Sequence, residues 1–160
     1  MRKIDLLFDE YGLSHRNATN KTIHWICVPL IFFSIIGLFW SIPAHYLQRI
    51  IDGKAAAFIN WGTIALLIAL AYYFSLSIPL FIGMMFAALA IALLCYFIDQ
   101  VAPIPLWGVC LIIFVLAWIG QFYGHKIEGT KPTFFKDLQF LLIGPAWLMH
   151  FIFKKLQIPY

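Results

Sequence analysis

Charged side chains vanish from long stretches of this chain and return in short clusters between them. No Asp, Glu, Lys or Arg occurs from Trp25 to Ala44, from Ala55 to Ile98, or from Gln100 to Gly124. About 20 apolar residues in a helix cross a bilayer, so the first and last of these runs each predict one crossing. The middle run is about twice that length, and the polar, proline-bearing piece Ser75-Leu76-Ser77-Ile78-Pro79 falls near its centre. Serine and proline there predict two helices joined by a tight hairpin. Pro103 and Pro105 suit the start of the next helix, because the first turn needs no amide donor. The pattern therefore predicts crossings at about 22–44, 56–75, 79–98 and 104–124. A fifth apolar stretch, Leu138 to Phe153, is shorter, contains Gly144-Pro145 and is approached through Lys131, Lys136 and Asp137. It predicts a short interfacial or re-entrant helix over about 134–153.

Composition agrees with that reading. Of 160 residues 63% are hydrophobic and 11% charged, and the mean hydropathy is +0.90. So few polar groups cannot cover the surface of a water-soluble domain. The expected fold is all-α and membrane-integral: residues 1–160 as a single membrane domain of four transmembrane helices plus the short C-terminal helix. With the N-terminus cytoplasmic, Arg2, Lys3, Arg16, Lys21, Lys126, Lys131, Lys136, Lys154 and Lys155 lie inside, and only Arg49 and Lys54 lie outside. That bias follows the positive-inside rule, and a fifth crossing would weaken it. The formal net charge of +4 comes from scattered basic residues, which fits anionic lipid headgroups rather than nucleic acid. The first residues show no cleavable signal pattern. Cys27, Cys95 and Cys110 sit far apart in apolar runs, as free thiols do. Small size and the lack of an evident retrieval signal point to a bacterial inner membrane, with the endoplasmic reticulum as the alternative.

Topology then gathers histidines. His24 opens the first crossing, His125 closes the fourth on the same side, and His15 lies just ahead of the first; His45 belongs to the opposite face. On one continuous helix, residues nine apart point in opposite directions and lie about 13.5 Å apart along the axis, so His15 and His24 need a turn between them. Asn17-Ala18-Thr19-Asn20 supplies turn formers, with Thr19 or Asn20 as the expected cap of a helix starting near Lys21. Three imidazoles with an open position can hold iron or zinc. Spacing alone leaves two readings open, a metal site or interfacial histidines that only hydrogen-bond. Glu128, three residues after His125, is a candidate ligand or orienting group, or else a salt-bridge partner of a nearby lysine. Lys126 and Lys131 suit an anionic headgroup or simply the topology. His150 reads as a packed or interfacial residue.

The segments EYGLSHRNATNKTIHWICVPLIFFS and IGQFYGHKIEGTKPTFFKDLQFLLIGPAW resemble the Mpo1-like family, and the hydrophobic pattern between them extends the likeness over essentially the whole chain. The resemblance implies an Fe(II)-dependent dioxygenase that uses dioxygen to shorten 2-hydroxy fatty acids by one carbon at the bilayer surface. It implies His15, His24 and His125 as metal ligands; beside it, the chemistry of the neighbouring residues suggests Asn20 and Glu128 as groups that orient them and Lys131 as a candidate partner for the substrate carboxylate. In eukaryotic members the glutamate falls four residues after the GH histidine, whereas Glu128 falls at three, and His150 has no counterpart in the pattern. The same imidazoles would also serve a zinc-dependent lipid hydrolase, and a scaffold or lipid-binding protein would use them only as hydrogen-bonding groups.

Overall fold

A computed structural model describes residues 2–49, 53–129 and 140–159. Among these residues the chain is all-helical, with seven α-helices and no strand. They are α1 (Lys3–Gly12), α2 (Ala18–Trp40), α3 (His45–Gln48), α4 (Trp61–Leu76), α5 (Ile78–Val101), α6 (Leu106–Glu128) and α7 (Ile143–Lys155), with a 3-10 turn at Lys54–Phe58.

Helices α2, α5 and α6, of 23, 24 and 23 residues, are long and apolar enough to cross a membrane; α4 is apolar but has 16 residues. Outward-facing side chains such as Leu67, Phe74, Phe86, Phe97, Leu116 and Ile119 are exposed. A surface this apolar is unfavourable in water and suits hydrocarbon. Half of the apolar window of α2 is buried, against 28% for α5 and 22% for α6, so α2 is the central helix.

The helix boundaries follow local chemistry. Asn17, not Thr19 or Asn20, caps α2: its Oδ1 accepts from the amides of Thr19 (2.8 Å) and Asn20 (3.3 Å). The helix therefore begins ahead of the expected Lys21, and it ends at Trp40, shortly before Pro43, which cannot continue it. Asn60 caps α4 through the Thr63 amide at 3.0 Å. The expected second helix therefore starts at Trp61 rather than near 56, and the residues before it form the 3-10 turn. Only Ser77 separates α4 from α5, as a tight hairpin requires. Pro105 precedes α6, and Gly129, at φ +75, ends it in a left-handed conformation that glycine adopts without strain. In α7 the Gly144-Pro145 pair lies in the first turn, where no helical donor is lost. The expected helix over about 134–153 lies partly outside the described residues, and its described part is α7.

The sequence reading gave residues 3–12 no structure, yet they form α1. Ile4, Phe8 and Tyr11, spaced to share one face, are buried as α1 packs on α7. Among the described residues the most extensive contact is between the antiparallel α2 and α6. Small residues allow their close approach: a Cβ on Gly120 would lie 2.7 Å from Cys27 Sγ, and one on Gly124 would collide with Asn20 Oδ1. This pairing brings the start of α2 beside the end of α6.

Candidate metal centre

Three chain segments converge at that end. His15 comes from the loop between α1 and α2, His24 from the second turn of α2, and His125 from the last turn of α6. All three are buried, at 3%, 1% and 4% exposure. One ring nitrogen of each lies within 4.8 Å of those of the other two. The rings face one another edge to face, with centroids 4.2 Å apart for His15 and His24, 5.1 Å for His24 and His125, and 5.7 Å for His15 and His125.

Hydrogen bonds set which nitrogen is available. His15 Nδ1 lies 2.6 Å from the carbonyl of Tyr11, and His24 Nδ1 lies 2.9 Å from the carbonyl of Asn20. A carbonyl only accepts, so in each ring Nδ1 carries the proton and donates it, leaving Nε2 as a bare lone pair. His15 Nε2 is buried and makes no hydrogen bond among the described residues. An orphaned buried lone pair carries a desolvation cost that a metal ion would remove. Burial also depresses the His15 pKa to about 4, against the opposing pull of the Tyr11 carbonyl, so the ring is neutral near pH 7 as a ligand must be. The residues present therefore fit a divalent metal held by three imidazoles. Neutral donors leave the charge of the ion for an anionic substrate to offset.

Glu128 is not in this cluster among the described residues. Its carboxylate accepts from the amides of Arg16 (2.8 Å) and Asn17 (2.9 and 3.1 Å) and from Asn20 Nδ2 (2.9 Å). Asn20 Nδ2 also donates to the Ser14 carbonyl at 3.2 Å. Together Glu128 and Asn20 bind the His15 loop to the end of α6, and the Asn20 backbone holds the His24 ring. Lys131 lies outside the described residues. His45 is exposed on α3 at the far end; His150 is half-buried on α7, against Phe8 with ring centroids 5.1 Å apart, and neither joins the cluster.

Two residues to which the sequence reading gave no role complete the surroundings. Tyr11 stacks on His15 with ring centroids 4.2 Å apart and an interplanar angle of 14°. Gln121 lies one helical turn before His125, on the same face, and is 8% exposed. Its signal was present: a lone carboxamide in an otherwise apolar run, four residues ahead of a histidine. Together with His24 they line a cavity of about 30 Å³. His15 instead borders an open cleft of about 470 Å³ whose walls carry Arg16, Lys21, Lys154, Asp5 and Asp9. The imidazoles thus stand between a charged cleft and a small, mostly apolar cavity. Beyond Leu141, which lines that cavity, an apolar groove of about 250 Å³ runs between α2 and α4.

Residues 1–156 match the family model described as 2-hydroxy-palmitic acid dioxygenase Mpo1-like. The chain is also 29% identical, over 149 residues, to the 2-hydroxy-palmitic acid dioxygenase MPO1 of Saccharomyces cerevisiae, an alignment covering 90% of this chain and 76% of the yeast protein. No solved structure matches. A family match over almost the whole length, spanning all three histidines, places the chain in the Mpo1-like family.

Proposed function

We propose that this protein is an Fe(II)-dependent dioxygenase converting 2-hydroxy long-chain fatty acids to acids one carbon shorter. The observation that carries the reading is the convergence of three buried imidazoles, two of them with Nε2 freed by backbone carbonyls, in a chain of this family. His15, His24 and His125 would hold the metal, which when bound would supply the redox chemistry that lets dioxygen, the oxidant, cleave the C1–C2 bond, with C1 leaving as carbon dioxide and one water formed. The chain's own residues do the placing. Arg16, Lys21 and Lys154 give the cleft beside His15 cations suited to a carboxylate. The groove past Leu141 offers the hydrocarbon tail apolar walls at Phe32, Ile35, Phe39 and Ile68. Glu128 and Asn20 keep the His15 loop against α6.

Four crossings with both termini cytoplasmic suit this arrangement. The α4 helix starts at Asn60, which lines a pocket with Trp40, His45 and Asp99 at the far end. It finishes beside α7, where Tyr73 donates to the Leu142 carbonyl at 2.8 Å. Its 16 residues rise about 24 Å, so the bilayer would thin slightly around it. The imidazoles then lie at the cytoplasmic interface, where the polar end of a fatty acid resides.

The test is an anaerobic preparation reconstituted with Fe(II) and given 2-hydroxypalmitate with and without dioxygen. The expected result is an acid one carbon shorter that requires both iron and dioxygen. No product from a protein that binds metal stoichiometrically would overturn the reading in favour of zinc-dependent hydrolysis. A protein that retains no metal would leave a lipid-binding or scaffold role.

A further inference from the structure

The cavity beside His24 has a size and a polarity that the bond cleavage alone does not require. At about 30 Å³ it has room for a small polar group such as a hydroxyl together with the carbon that bears it. Val28, Ile31, Trp118 and Leu141 make most of its wall apolar. Gln121 opens onto it, yet Gln121 Oε1 is buried and makes no hydrogen bond among the described residues. The His24 ring faces the Gln121 side chain, but its proton sits on Nδ1, bonded to the Asn20 carbonyl, so the neutral ring offers Oε1 a lone pair rather than an N–H. A buried carbonyl oxygen without a donor costs free energy, and its complement is an O–H group. A free water there would have only Tyr11, His24 and Gln121 as polar neighbours and apolar wall elsewhere, whereas a hydroxyl attached to a hydrocarbon chain brings its own apolar flank to that wall.

We propose that Gln121 Oε1 accepts a hydrogen bond from the 2-hydroxyl of the fatty acid, which makes Gln121 the residue that distinguishes 2-hydroxy acids from unsubstituted ones. The inference rests on the proposed function. In the cavity, an unsubstituted acid presents C–H where the hydroxyl would be and leaves the carboxamide without a donor. A site built to hydrogen-bond a hydroxyl rejects the analogue lacking it far more strongly than an apolar pocket rejects an extra methylene.

Equilibrium binding to the full-length protein, loaded with redox-inert zinc in detergent, isolates this contribution. Displacement of a fluorescent fatty acid by 2-hydroxypalmitate and by palmitate gives the preference ratio. In Gln121→Met, of similar length but without the acceptor, the ratio should fall roughly tenfold or more, with palmitate binding unchanged or tighter. Any coordination of the hydroxyl by the metal persists in the variant, so the fall reports the carboxamide. If Gln121→Met does not fold, Gln121→Leu is read in the same way. A ratio unchanged by substitution, an equal loss of affinity for both acids, or no preference in the unsubstituted protein would overturn the proposal. Failure of the functional reading looks different: the iron-loaded, oxygenated protein would leave 2-hydroxypalmitate intact, and the preference ratio would still judge Gln121 by itself.

Discussion

At the residue scale the centre divides into groups that would touch a metal and groups that hold them in place. His24 belongs to the first kind and Glu128 to the second. Removing a ligand deletes a coordination bond. Removing the Glu128 charge weakens four hydrogen bonds to the His15 loop and Asn20 while leaving every imidazole present. His24→Ala should therefore abolish stoichiometric metal retention. Glu128→Gln should retain the metal with an affinity lowered roughly tenfold to a hundredfold, the usual effect of losing a group that orients ligands. Cobalt(II) titration followed by its visible absorption separates the two outcomes. Equal, complete loss in both variants would make Glu128 a ligand; an unchanged affinity in Glu128→Gln would deny it any role at the centre.

At the scale of elements, what decides the site is how closely α2 and α6 can approach. Three glycines of α6 make a controlled comparison. A Cβ on Gly124 would strike Asn20 Oδ1, the residue that links Glu128 to the His24 ring, whereas a Cβ on Gly108 would meet nothing within 4 Å. Gly120 lies between these cases, with Cys27 Sγ at 2.7 Å and Ile23 Cγ2 at an ordinary 3.9 Å. Gly124→Ala should cost about 1–3 kcal/mol through overpacking and lower metal occupancy as well. Gly120→Ala should cost stability with less effect on metal, and Gly108→Ala should be neutral or stabilise by up to about 1 kcal/mol through helix propensity. Thermal unfolding in detergent, read beside metal content, checks the order. If Gly124→Ala behaves like Gly108→Ala, close packing of the two helices does not hold the centre.

At the scale of the whole molecule, the sequence revealed most where polarity changes are sharp. The hairpin at Ser77 and the start of α6 after Pro105 follow from residues whose backbone chemistry admits few alternatives. The gathering of His15, His24 and His125 followed from counting crossings, because helix parity decides which ends share a face. What the sequence concealed depends on distant partners. The local marks of α1, the spacing of Ile4, Phe8 and Tyr11 and the Asp5 carboxylate that accepts from the Arg2 amide, lie in a short charged segment outside the apolar runs, and its burial comes from α7. Glu128 next to lysines reads as a salt bridge until its amide donors, more than 100 residues away, are seen. The α4 boundary was misplaced because an apolar run does not reveal that Asn60, rather than the end of the run, starts the helix.

The same parity argument gives the last prediction. If α4 crosses the bilayer despite its 16 residues, the hairpin tip returns to the face that carries the imidazoles; if it does not, the tip stays with α3. Exposed positions at each point make this measurable: Leu13 (62%), Ile78 (60%) and Leu156 (61%) on the expected cytoplasmic face, and Tyr46 (74%) and Ile104 (45%) on the other. The native thiols Cys27, Cys95 and Cys110 are buried, so single cysteines placed at those positions should dominate labelling by a membrane-impermeant maleimide. Leu13→Cys, Ile78→Cys and Leu156→Cys should react only in inverted vesicles, and Tyr46→Cys and Ile104→Cys only in right-side-out vesicles. Labelling of Ile78→Cys from the Tyr46 side would turn the α4–α5 hairpin into a structure that does not cross. It would also detach the apolar groove between α2 and α4 from the hydrocarbon layer, and with it the reason for placing a lipid tail there.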